Sequence, residues 1–460
     1  MNALDLKIAA ARAAGALSRR AGRGGTSLPG KLLMRLEPHV IGRLAARLPD
    51  GSAVISATNG KTTTAAMVAA ILEHGGARPV HNRAGANMAG GVTSALLQAT
   101  RRDGRLSGDV GLFEVDEFWL GQVVGELRPR ALLLANLFRD QLDRYGELDT
   151  IADRWAEVAA TTPAALILNA DDPTVADLGR ARGGDAPDPS VSFFGVEDDG
   201  IAMAEMQHAA DAKHCRRCGA PYRYEAIYLG HLGRYHCDSC GAHRPEPGIS
   251  ARDIALEGVR GARFTLHTPA GERAIALPLP GLYNVYNALG AAALSLALGA
   301  DLDDVAAGLQ AVSPAFGRAE TVTLGGRELS ILLVKNPAGA NEVLRTLVLE
   351  PGEHDVFAVL NDNIADGRDV SWVWDADFEV LAGRVRRVTC SGTRAAEMAL
   401  RMKYAGVAPE RITVVPDLSD GLDRAIREGD GRVFALPTYT AMLALRDVLV
   451  ARGAAGSSFA

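Results

Sequence analysis

The 460-residue sequence contains no uninterrupted apolar run of the roughly 18 residues that a membrane-spanning helix needs. Residues 1–23 are rich in alanine and arginine but lack the long apolar core of a secretory signal, so we expect a cytoplasmic protein. Basic residues are not in excess either, because 49 Lys and Arg stand against 55 Asp and Glu. The resulting formal charge of -6 disfavours a general nucleic-acid-binding protein.

Cysteine is scarce as well, and its arrangement is informative. Of the five cysteines, four form the pairs Cys215-x-x-Cys218 and Cys237-x-x-Cys240, and a glycine follows each pair. This spacing is typical of a zinc ribbon, and four thiolates leave no open coordination position, so the predicted zinc is structural. Two disulfides are the alternative, which a reducing cytoplasm disfavours. The fifth, Cys390, lacks the surroundings of a nucleophile, and we predict that it is a core residue in a strand.

The segment ATNGKTTT, residues 57–64, lies between an apolar run at 53–56 and a helical pattern at 65–73. A strand that ends in a Gly-Lys-Thr turn and continues as a helix directs backbone N–H groups and the positive end of a helix dipole at one spot. This arrangement predicts a nucleoside triphosphate site, with the lysine on the phosphates and the following threonine hydroxyl on Mg²⁺. The predicted nucleotide-binding residues of the loop are Thr58, Asn59, Gly60, Lys61, Thr62 and Thr63.

The loop is a variant, because Ile55 stands where the usual phosphate-binding pattern has its first glycine. The alternative is an ordinary strand-to-helix turn with a solvated lysine, and the order of strand, turn and helix favours phosphate binding. A neighbouring strand of such a sheet commonly delivers an acidic residue to Mg²⁺. We predict Glu114, at the end of strand 110–115, for that role, and we interpret Asp116 and Glu117 as weaker candidates that are simply exposed.

Strand and helix patterns alternate along most of the chain, which predicts an α/β fold with mostly parallel sheets. The predicted strands are 53–56, 110–115, 131–135, 165–168, 262–266, 274–277, 330–334, 356–360, 387–390, 412–415 and 433–436. The length predicts about three domains. We expect an N-terminal helical segment at 1–50, a central ATP-binding domain at 51–313 with the zinc ribbon inserted at about 205–245, and a Rossmann-like α/β domain at 314–460. Proline and glycine between 314 and 318 mark the second boundary.

Residues 361–375 follow a predicted strand of the last domain and contain several carboxylates, two asparagines and two tryptophans. Ligands and partners bind at strand ends in open α/β sheets, so we predict a functional loop. The alternative is an exposed acidic loop whose tryptophans are buried for packing.

Several of these motifs, in this order along the chain, resemble the Mur ligase superfamily of ATP-dependent amide ligases. The resemblance implies that Lys61 and Thr62 hold the phosphates and Mg²⁺, that Glu114 binds Mg²⁺, and that Asn284 or Asn287 contacts the adenine. It also implies that Arg318 reaches the nucleotide from the domain boundary. The matching segments are Thr58 to Thr63, Glu114, Asn136, Asn169 to Pro173, Asn284-x-x-Asn287-Ala288 and Gly317-Arg318.

Within the superfamily the chain resembles the MurT family, the ligase-like subunits of lipid II isoglutaminyl synthase. The inserted four-cysteine ribbon and the segments 362–375 and 436–442 carry this resemblance, and the roughly fifty residues before the phosphate loop are too few for a separate UDP-binding domain. The chain departs from the amino-acid-adding Mur ligases at Gln141, where they usually have a histidine, and at Val334-Lys335-Asn336-Pro337.

This resemblance implies an ATP-dependent ligase that phosphorylates the α-carboxylate of D-glutamate in the lipid II stem peptide and directs ammonia onto it, at the inner face of the membrane. It implies a GatD-like glutamine amidotransferase as partner and a structural zinc. An aspartate of the chain would complete the partner's catalytic triad, and Asp362, Asp366 and Asp369 all remain candidates.

Two other functions remain open at this point. A folylpolyglutamate synthetase-like ligase would also lack the UDP-binding domain, but it explains neither the ribbon nor the aspartate-rich loop. A phosphate-loop regulator that binds nucleic acid through the ribbon would use Arg216 and Arg217 beside the cysteines, whereas we interpret these arginines as a solvated rim. The acidic net charge disfavours that regulator.

Overall fold

The computed structural model describes residues 3–20, 27–82, 86–101, 103–140, 148–183, 188–208, 210–313 and 318–455. Within these ranges the chain forms a nine-stranded sheet, a six-stranded sheet and a two-stranded hairpin. We call the nine-stranded sheet with its helices and the hairpin the central lobe, and the six-stranded sheet with its helices the C-terminal lobe. Among the helices of these ranges, none has the length and apolar character required to cross a membrane.

The nine-stranded sheet has the order β11-β10-β9-β6-β5-β4-β1-β3-β2, and its strands from β2 to β9 run parallel. Its central strands are buried on both faces, which accounts for their continuous apolar sequences. The strands are β1 (Ser52–Ser56), β2 (Pro79–His81), β3 (Val110–Glu114), β4 (Ala131–Leu134), β5 (Ala165–Asn169), β6 (Val191–Val196), β9 (Ile249–Leu256), β10 (Ala262–Thr268) and β11 (Gly271–Leu277).

Helices cover both faces of this sheet, and alternate residues of β1 supply the two cores: Ala53 and Ile55 face one, Val54 the other. The N-terminal helices pack on the second face, where α2 contacts α5. The helices are α1 (Ala3–Arg20), α2 (Leu28–Leu36), α3 (Val40–Ala45), α4 (Lys61–His74), α5 (Ala89–Ala99), α6 (Leu120–Leu127), α7 (Leu148–Thr161), α8 (Pro173–Asp177), α9 (Arg180–Gly183), α10 (Leu282–Leu298) and α11 (Leu302–Ala311).

The predicted ribbon interrupts this pattern between β6 and β9. It consists of two cysteine turns that flank an antiparallel hairpin, β7 (Arg223–Leu229) and β8 (Leu232–His236). Among the described residues, the hydrophobic cluster at the cysteine end of the ribbon is small, with Cys215, Cys237 and Ala242 as its buried members.

The six-stranded sheet of the C-terminal lobe has the order β12-β13-β17-β14-β15-β16, and only β12 is antiparallel to its neighbour. Cys390 lies in β15 with no exposed surface, as predicted, and burial raises the pKa of its thiol to about 12. The elements are β12 (Arg318–Leu324), β13 (Arg327–Leu332), β14 (His354–Val359), β15 (Val385–Ser391), β16 (Ile412–Val414), β17 (Val433–Pro437), α12 (Pro337–Leu349), α13 (Ala395–Tyr404), α14 (Leu418–Glu428) and α15 (Tyr439–Ala451).

The α/β class, the inserted ribbon and the strands singled out from the sequence are confirmed, with boundaries that shift by a few residues. Three strands of the large sheet were not predicted, namely β2, β6 and β9. β2 has only three residues, and β9 has a polar outer half, so neither gives a clear periodic signal. The division into domains at residues 50 and 313 stays a prediction, although the change from one sheet to the other falls between α11 and β12.

Candidate active site

A cavity of about 360 Å³ lies between the two lobes, at the carboxyl ends of β1 and β3. The phosphate loop forms one wall, and α12 of the C-terminal lobe forms the opposite wall. The cavity is lined by charged side chains, several of them beside the phosphate loop, and by apolar side chains. The lining includes Thr58 to Thr63, Glu114, Asp116, Glu117, Phe138, Asp140, Leu229, Leu232, Tyr283, Asn287, Leu332, Lys335, Glu342 and Val343.

Gly60 gives the loop its shape. Its φ angle of 88° is one that residues with a Cβ rarely adopt, and a Cβ there would collide with the side-chain oxygen of Asn287. Glycine therefore lets the loop approach α10 closely, and α4 begins at the next residue, Lys61. The loop thus presents the first backbone N–H groups of a helix to the cavity, which is a favourable site for phosphate.

Asn136 clamps the loop from the end of β4. Its Oδ1 accepts a hydrogen bond from the Asn59 backbone N–H at 2.9 Å, and its Nδ2 donates to the Asn59 carbonyl oxygen at 3.0 Å. The Thr58 hydroxyl accepts a third bond, from the Phe138 backbone N–H at 3.1 Å. These three bonds hold the loop in a chain where Ile55, buried in β1, takes the place of the first glycine of the usual pattern.

The Lys61 ammonium lies inside the cavity rather than in solvent, so the alternative of a solvated lysine is wrong. It donates to the Ala57 carbonyl oxygen and pairs with Glu117 at 2.9 Å, where both side chains are about one-tenth exposed. The interpretation of Asp116 and Glu117 as simply exposed is therefore also wrong, since Asp116 is 5% exposed and Glu117 neutralises Lys61.

Thr62 and Glu114 meet at the cavity wall, as the sequence predicts. The Thr62 hydroxyl donates to a Glu114 carboxylate oxygen at 2.7 Å, and Glu114 is 2% exposed. A hydroxyl and a carboxylate that converge beside a phosphate loop are the oxygen ligands that Mg²⁺ prefers. The two residues fit a Mg²⁺ site, and this assignment stays a prediction.

The two predicted adenine contacts occupy different positions. Asn287 lines the cavity and receives a hydrogen bond from the Thr64 hydroxyl at 3.3 Å, whereas Asn284 lies one layer behind. Asn284 accepts from the Asn287 side chain at 3.0 Å and donates to the Pro280 carbonyl oxygen at 2.8 Å. Asn284 therefore orients Asn287, and of the two residues only Asn287 reaches the cavity.

Two other predictions lie outside the described part of the chain. Arg318 begins β12, but its side chain is not among those described. Gln141, where other Mur ligases have a histidine, lies in the undescribed range 141–147. Their predicted importance for the nucleotide and for the incoming nucleophile stays a prediction.

The C-terminal lobe contributes residues that the sequence did not single out for the site. Lys335 pairs with Asp140 across the lobes, and the Asn336 and Asn59 amides exchange hydrogen bonds of 3.0 and 3.3 Å. Burial raises the pKa of Asp140, although the Lys335 ammonium opposes this. Lys335 comes shortly after the end of β13, within the segment 334–337 where the chain departs from the amino-acid-adding Mur ligases, and this position at a strand end is a signal that could have identified it.

Asp362, Asp366 and Asp369, on the loop after β14, lie in three different environments. Asp362 is paired with Arg394 at 2.8 Å and accepts from the Thr393 hydroxyl at 2.8 Å, and these hydrogen bonds keep its pKa below the ordinary value. Asp369 is exposed and accepts from the Ser371 backbone N–H at 2.8 Å.

Asp366, by contrast, is 5% exposed and accepts from both the backbone N–H and the hydroxyl of Thr440, at the start of α15. Burial raises the pKa of this carboxyl group. The bonds join the two segments that carried the sequence resemblance, 362–375 and 436–442. Trp374 of the same loop is 50% exposed, so the alternative of a tryptophan pair buried for packing is wrong for this residue.

The four ribbon cysteines converge as predicted. Their sulfur atoms all lie within 4.8 Å of one another, and the Cys215–Cys240 and Cys218–Cys237 pairs are 3.6 and 3.5 Å apart. Zinc–sulfur bonds of about 2.3 Å in a tetrahedron place the sulfurs slightly under 4 Å apart, so the cluster could hold one zinc ion. All five cysteines are unbridged, which contradicts the disulfide alternative.

The arginines beside the cysteines are neutralised within the chain. Arg216 pairs with Asp153 at 2.6 Å and with Asp149 at 3.2 Å, and Arg217 pairs with Asp177 at 2.6 Å. Phosphate recognition needs cations that are available to the ligand. These pairs therefore disfavour nucleic-acid binding through the ribbon.

Comparison with known proteins defines the family. Residues 55–237 match the Mur ligase middle domain, and residues 333–442 match the MurT ligase C-terminal domain. The chain is 31% identical over 449 residues to the MurT subunit of lipid II isoglutaminyl synthase (glutamine-hydrolyzing) from Streptococcus pneumoniae, with 97% of each chain covered. The corresponding subunit of Staphylococcus aureus strain N315 is 33% identical, with 94% of each chain covered.

Solved structures share the fold at lower identity. A pseudomurein peptide ligase type C from Methanothermus fervidus matches with a TM-score of 0.67 and 22% identity, over 87% of this chain and 79% of that one. MurF ligase from Thermotoga maritima, solved in complex with ADP, matches with a TM-score of 0.60 and 15% identity, over 93% and 83% of the two chains. With the two MurT relatives similar along nearly their whole length, the chain belongs to the MurT family of Mur ligases.

Proposed function

We propose that this protein is the ligase subunit of a lipid II isoglutaminyl synthase, which converts the α-carboxylate of D-glutamate in the lipid II stem peptide to the amide of D-isoglutamine. The observation that carries the proposal is a phosphate loop that opens on a cavity between two lobes, in a chain similar over its full length to MurT subunits. ATP would occupy this cavity. We place the reaction at the inner membrane face, where cytoplasmic ATP and a lipid-linked substrate meet.

The chemistry explains why such a cavity is needed. A carboxylate has no leaving group, so one of its oxygens first attacks the γ-phosphorus of ATP and ADP departs, which leaves an acyl phosphate. Ammonia then attacks the acyl carbon, and the bond between that carbon and the phosphate oxygen breaks, so that inorganic phosphate leaves. The attacking nitrogen loses one proton and becomes the amide nitrogen. A Mg²⁺ ion held by Thr62 and Glu114 would neutralise phosphate charge.

The chain's own groups suit these steps. Lys61 and Lys335 approach the cavity from opposite lobes and can spread the negative charge that develops during phosphoryl transfer. Their present partners, Glu117 and Asp140, are carboxylates that triphosphate oxygens can replace. The apolar lining, which includes Leu229, keeps water away from the acyl phosphate.

A glutaminase partner follows from the cysteines. Glutamine hydrolysis by an amidotransferase of the resembled type needs a reactive thiolate, but four of the five cysteines form the ribbon cluster. The fifth, Cys390, is fully buried, and its raised pKa keeps it protonated. Ammonia that is released from glutamine would therefore come from another chain, and we propose a GatD-like glutamine amidotransferase.

We further propose that Asp369 is the aspartate lent to the partner's catalytic histidine. Among the three candidates it is exposed and forms no ion pair with the described residues, whereas Asp362 is paired with Arg394 and Asp366 is held by Thr440. The Ser371 hydrogen bonds lower the pKa of Asp369, so it stays ionised and can stabilise an imidazolium. Exposed apolar side chains nearby, Ile364 and Trp374, offer a docking surface.

The test uses the purified chain with and without a GatD-like amidotransferase, with ATP, lipid II and either glutamine or ammonium. Mass spectrometry should detect the mass decrease of about 1 Da that accompanies conversion of an acid to an amide, since OH is replaced by NH₂. The absence of amidation under every combination would refute the ligase proposal. Asp369→Asn should suppress glutamine-driven amidation and spare ammonium-driven amidation, and Asp362→Asn and Asp366→Asn are its matched controls. If none of the three variants loses glutamine-dependent turnover, the proposal that this chain supplies an aspartate to the partner's catalytic histidine is wrong.

A further inference from the structure

The hairpin of the zinc ribbon extends to the ligase cavity. We call residues 228–232, between and including the ends of β7 and β8, the ribbon tip. Leu229 and Leu232 of this tip line the cavity together with the phosphate loop. At its other end β8 runs directly into Cys237 of the metal cluster. One short strand therefore connects the four-cysteine cluster to the cavity wall.

The ribbon tip is packed against the rest of the central lobe. The His231 ring has no exposed surface and lies 4.6 Å from the Phe138 ring, centroid to centroid. The Gly230 backbone N–H donates to the Gln207 side chain at 3.1 Å, and the Gly233 N–H donates to the Asp171 carbonyl oxygen at 2.9 Å. The tip is thus part of the wall and is not a solvent-exposed turn.

The ribbon tip also contacts the C-terminal lobe. The Arg345 guanidinium, on α12, donates to the Tyr228 carbonyl oxygen at 2.7 Å and pairs with Glu342 at 3.1 Å. Glu342 lines the cavity and is 3% exposed, and burial raises the pKa of its carboxyl group. Through Arg345, the ribbon tip therefore holds a cavity residue of the opposite lobe.

Apart from the hairpin side chains that pack into the core of the central lobe, among them Tyr228, Leu229 and Leu232, the ribbon has little besides the cysteine cluster to hold it in shape. Its core at the cysteine end contains three buried residues among those described, and an isolated two-stranded hairpin is at best marginally stable in water. In small metal-binding modules the metal supplies the folding free energy that such a core lacks. The position of the ribbon tip should consequently depend on whether the cluster holds its metal.

We propose that the zinc ribbon is a wall of the ligase cavity: metal at the four cysteines fixes the ribbon tip, which closes the cavity at Leu229 and Leu232 and holds the C-terminal lobe through Arg345. Loss of zinc would then loosen α12, whose Arg345 lies 117 residues from Tyr228 in sequence, and weaken nucleotide binding. The nucleotide part of this inference rests on the proposed ATP site, whereas the effect on α12 does not.

The first test compares the full-length chain with and without zinc. Hydrogen–deuterium exchange should become faster in the ribbon tip and in residues 337–349 after chelation, stay unchanged in β1 and β4, and recover when Zn²⁺ is restored. ADP affinity measured by calorimetry should fall about tenfold in the zinc-free chain. Unchanged exchange in 337–349 in a zinc-free chain that keeps its fold would overturn the proposal.

Variants decide the matter if chelation unfolds the whole chain. Leu229→Ala with Leu232→Ala should retain one zinc per chain and weaken ADP binding about tenfold, because both apolar contacts of the wall are lost. Arg345→Ala should retain zinc and increase exchange in residues 337–349. The matched control is Arg427→Ala, at an exposed arginine of α14 far from the ribbon, which should change neither readout.

Normal ADP affinity in the double leucine variant, together with normal exchange in Arg345→Ala, would refute the proposal that the zinc ribbon is a wall of the ligase cavity. A wild-type chain that binds no ADP would refute the proposed ATP site instead. The exchange of residues 337–349 would then still test whether the ribbon holds α12.

Discussion

The loops after β1 and β14 begin alike and end in different surroundings. Each follows a fully buried parallel strand near the middle of its sheet, and each carries polar side chains at the carboxyl end of that strand. The phosphate loop, residues 57–63, faces a cavity whose opposite wall belongs to the same chain. The loop at 361–375 exposes Ile364, Asp369 and Trp374 on the molecular surface.

The two loops differ in whether their side chains find all their partners within this chain. The polar side chains of the phosphate loop have partners within the chain: the Lys61 ammonium pairs with Glu117, and the Thr62 hydroxyl donates to Glu114. In the second loop the partners of Asp362 and Asp366 hold the loop in shape, and an exposed carboxylate and exposed apolar groups remain. Similar positions in two α/β sheets thus serve an internal ligand site in one case and, by our proposal, an intermolecular site in the other.

The largest expected effect is at the phosphate loop. Lys61→Ala removes the buried ammonium that contacts the phosphates in the proposed complex, so ATP-dependent amidation should fall by about 100-fold or more with either nitrogen source. Lys403→Ala, at an exposed lysine of α13, is the matched control and should leave amidation unchanged. Amidation should be followed by mass spectrometry and ADP binding by calorimetry. Near-normal ADP binding by Lys61→Ala would contradict our description of the phosphate loop as an internal ligand site.

An intermediate effect is expected on stability in the second loop. Asp366→Ala leaves the backbone N–H at the start of α15 without its acceptor, and should lower the free energy of unfolding of the C-terminal lobe by about 1–3 kcal/mol. Asp369→Ala should change it by less than about 0.5 kcal/mol, because that side chain is exposed. Urea denaturation followed by fluorescence of Trp372 and Trp374 measures both. Equal effects of the two substitutions would remove the distinction between the holding and the exposed aspartate.

The smallest effect is a pH dependence at Asp362. The Thr393 hydroxyl and Arg394 keep its pKa below the ordinary value of 3.8, so its contribution to stability is present above that pH and is lost as the pH falls through the lower pKa of the folded state. At neutral pH, Asp362→Asn should lower the free energy of unfolding by at most about 1 kcal/mol, since the pair is near the surface. The difference from wild type should vanish in acid and be smaller in an Arg394→Gln background. A difference that is constant with pH would contradict the assigned partners.

Much of the architecture could be predicted because its signals are local. The apolar run of β1, the turn at Gly60 and the helix after it are adjacent in sequence, and each Cys-x-x-Cys turn is a few residues long. The prediction that Asp116 and Glu117 are exposed was wrong for the complementary reason. Glu117 is paired with Lys61, which lies more than 50 residues away and approaches only after β1 and β3 pair, and the Asp116 backbone N–H donates to the Asn87 carbonyl oxygen.

The sequence by itself determined the α/β class, the phosphate loop with Thr62 and Glu114 as a pair, and the four-cysteine cluster, because periodicity and short motifs fix backbone direction over a few residues. Only the tertiary structure decided that Lys335 and Asp140 meet across the lobes, that Asn284 stands behind Asn287, and that the ribbon tip lines the cavity. These contacts join segments far apart in the chain. Their formation depends on how the two sheets pack against each other, which no local pattern specifies.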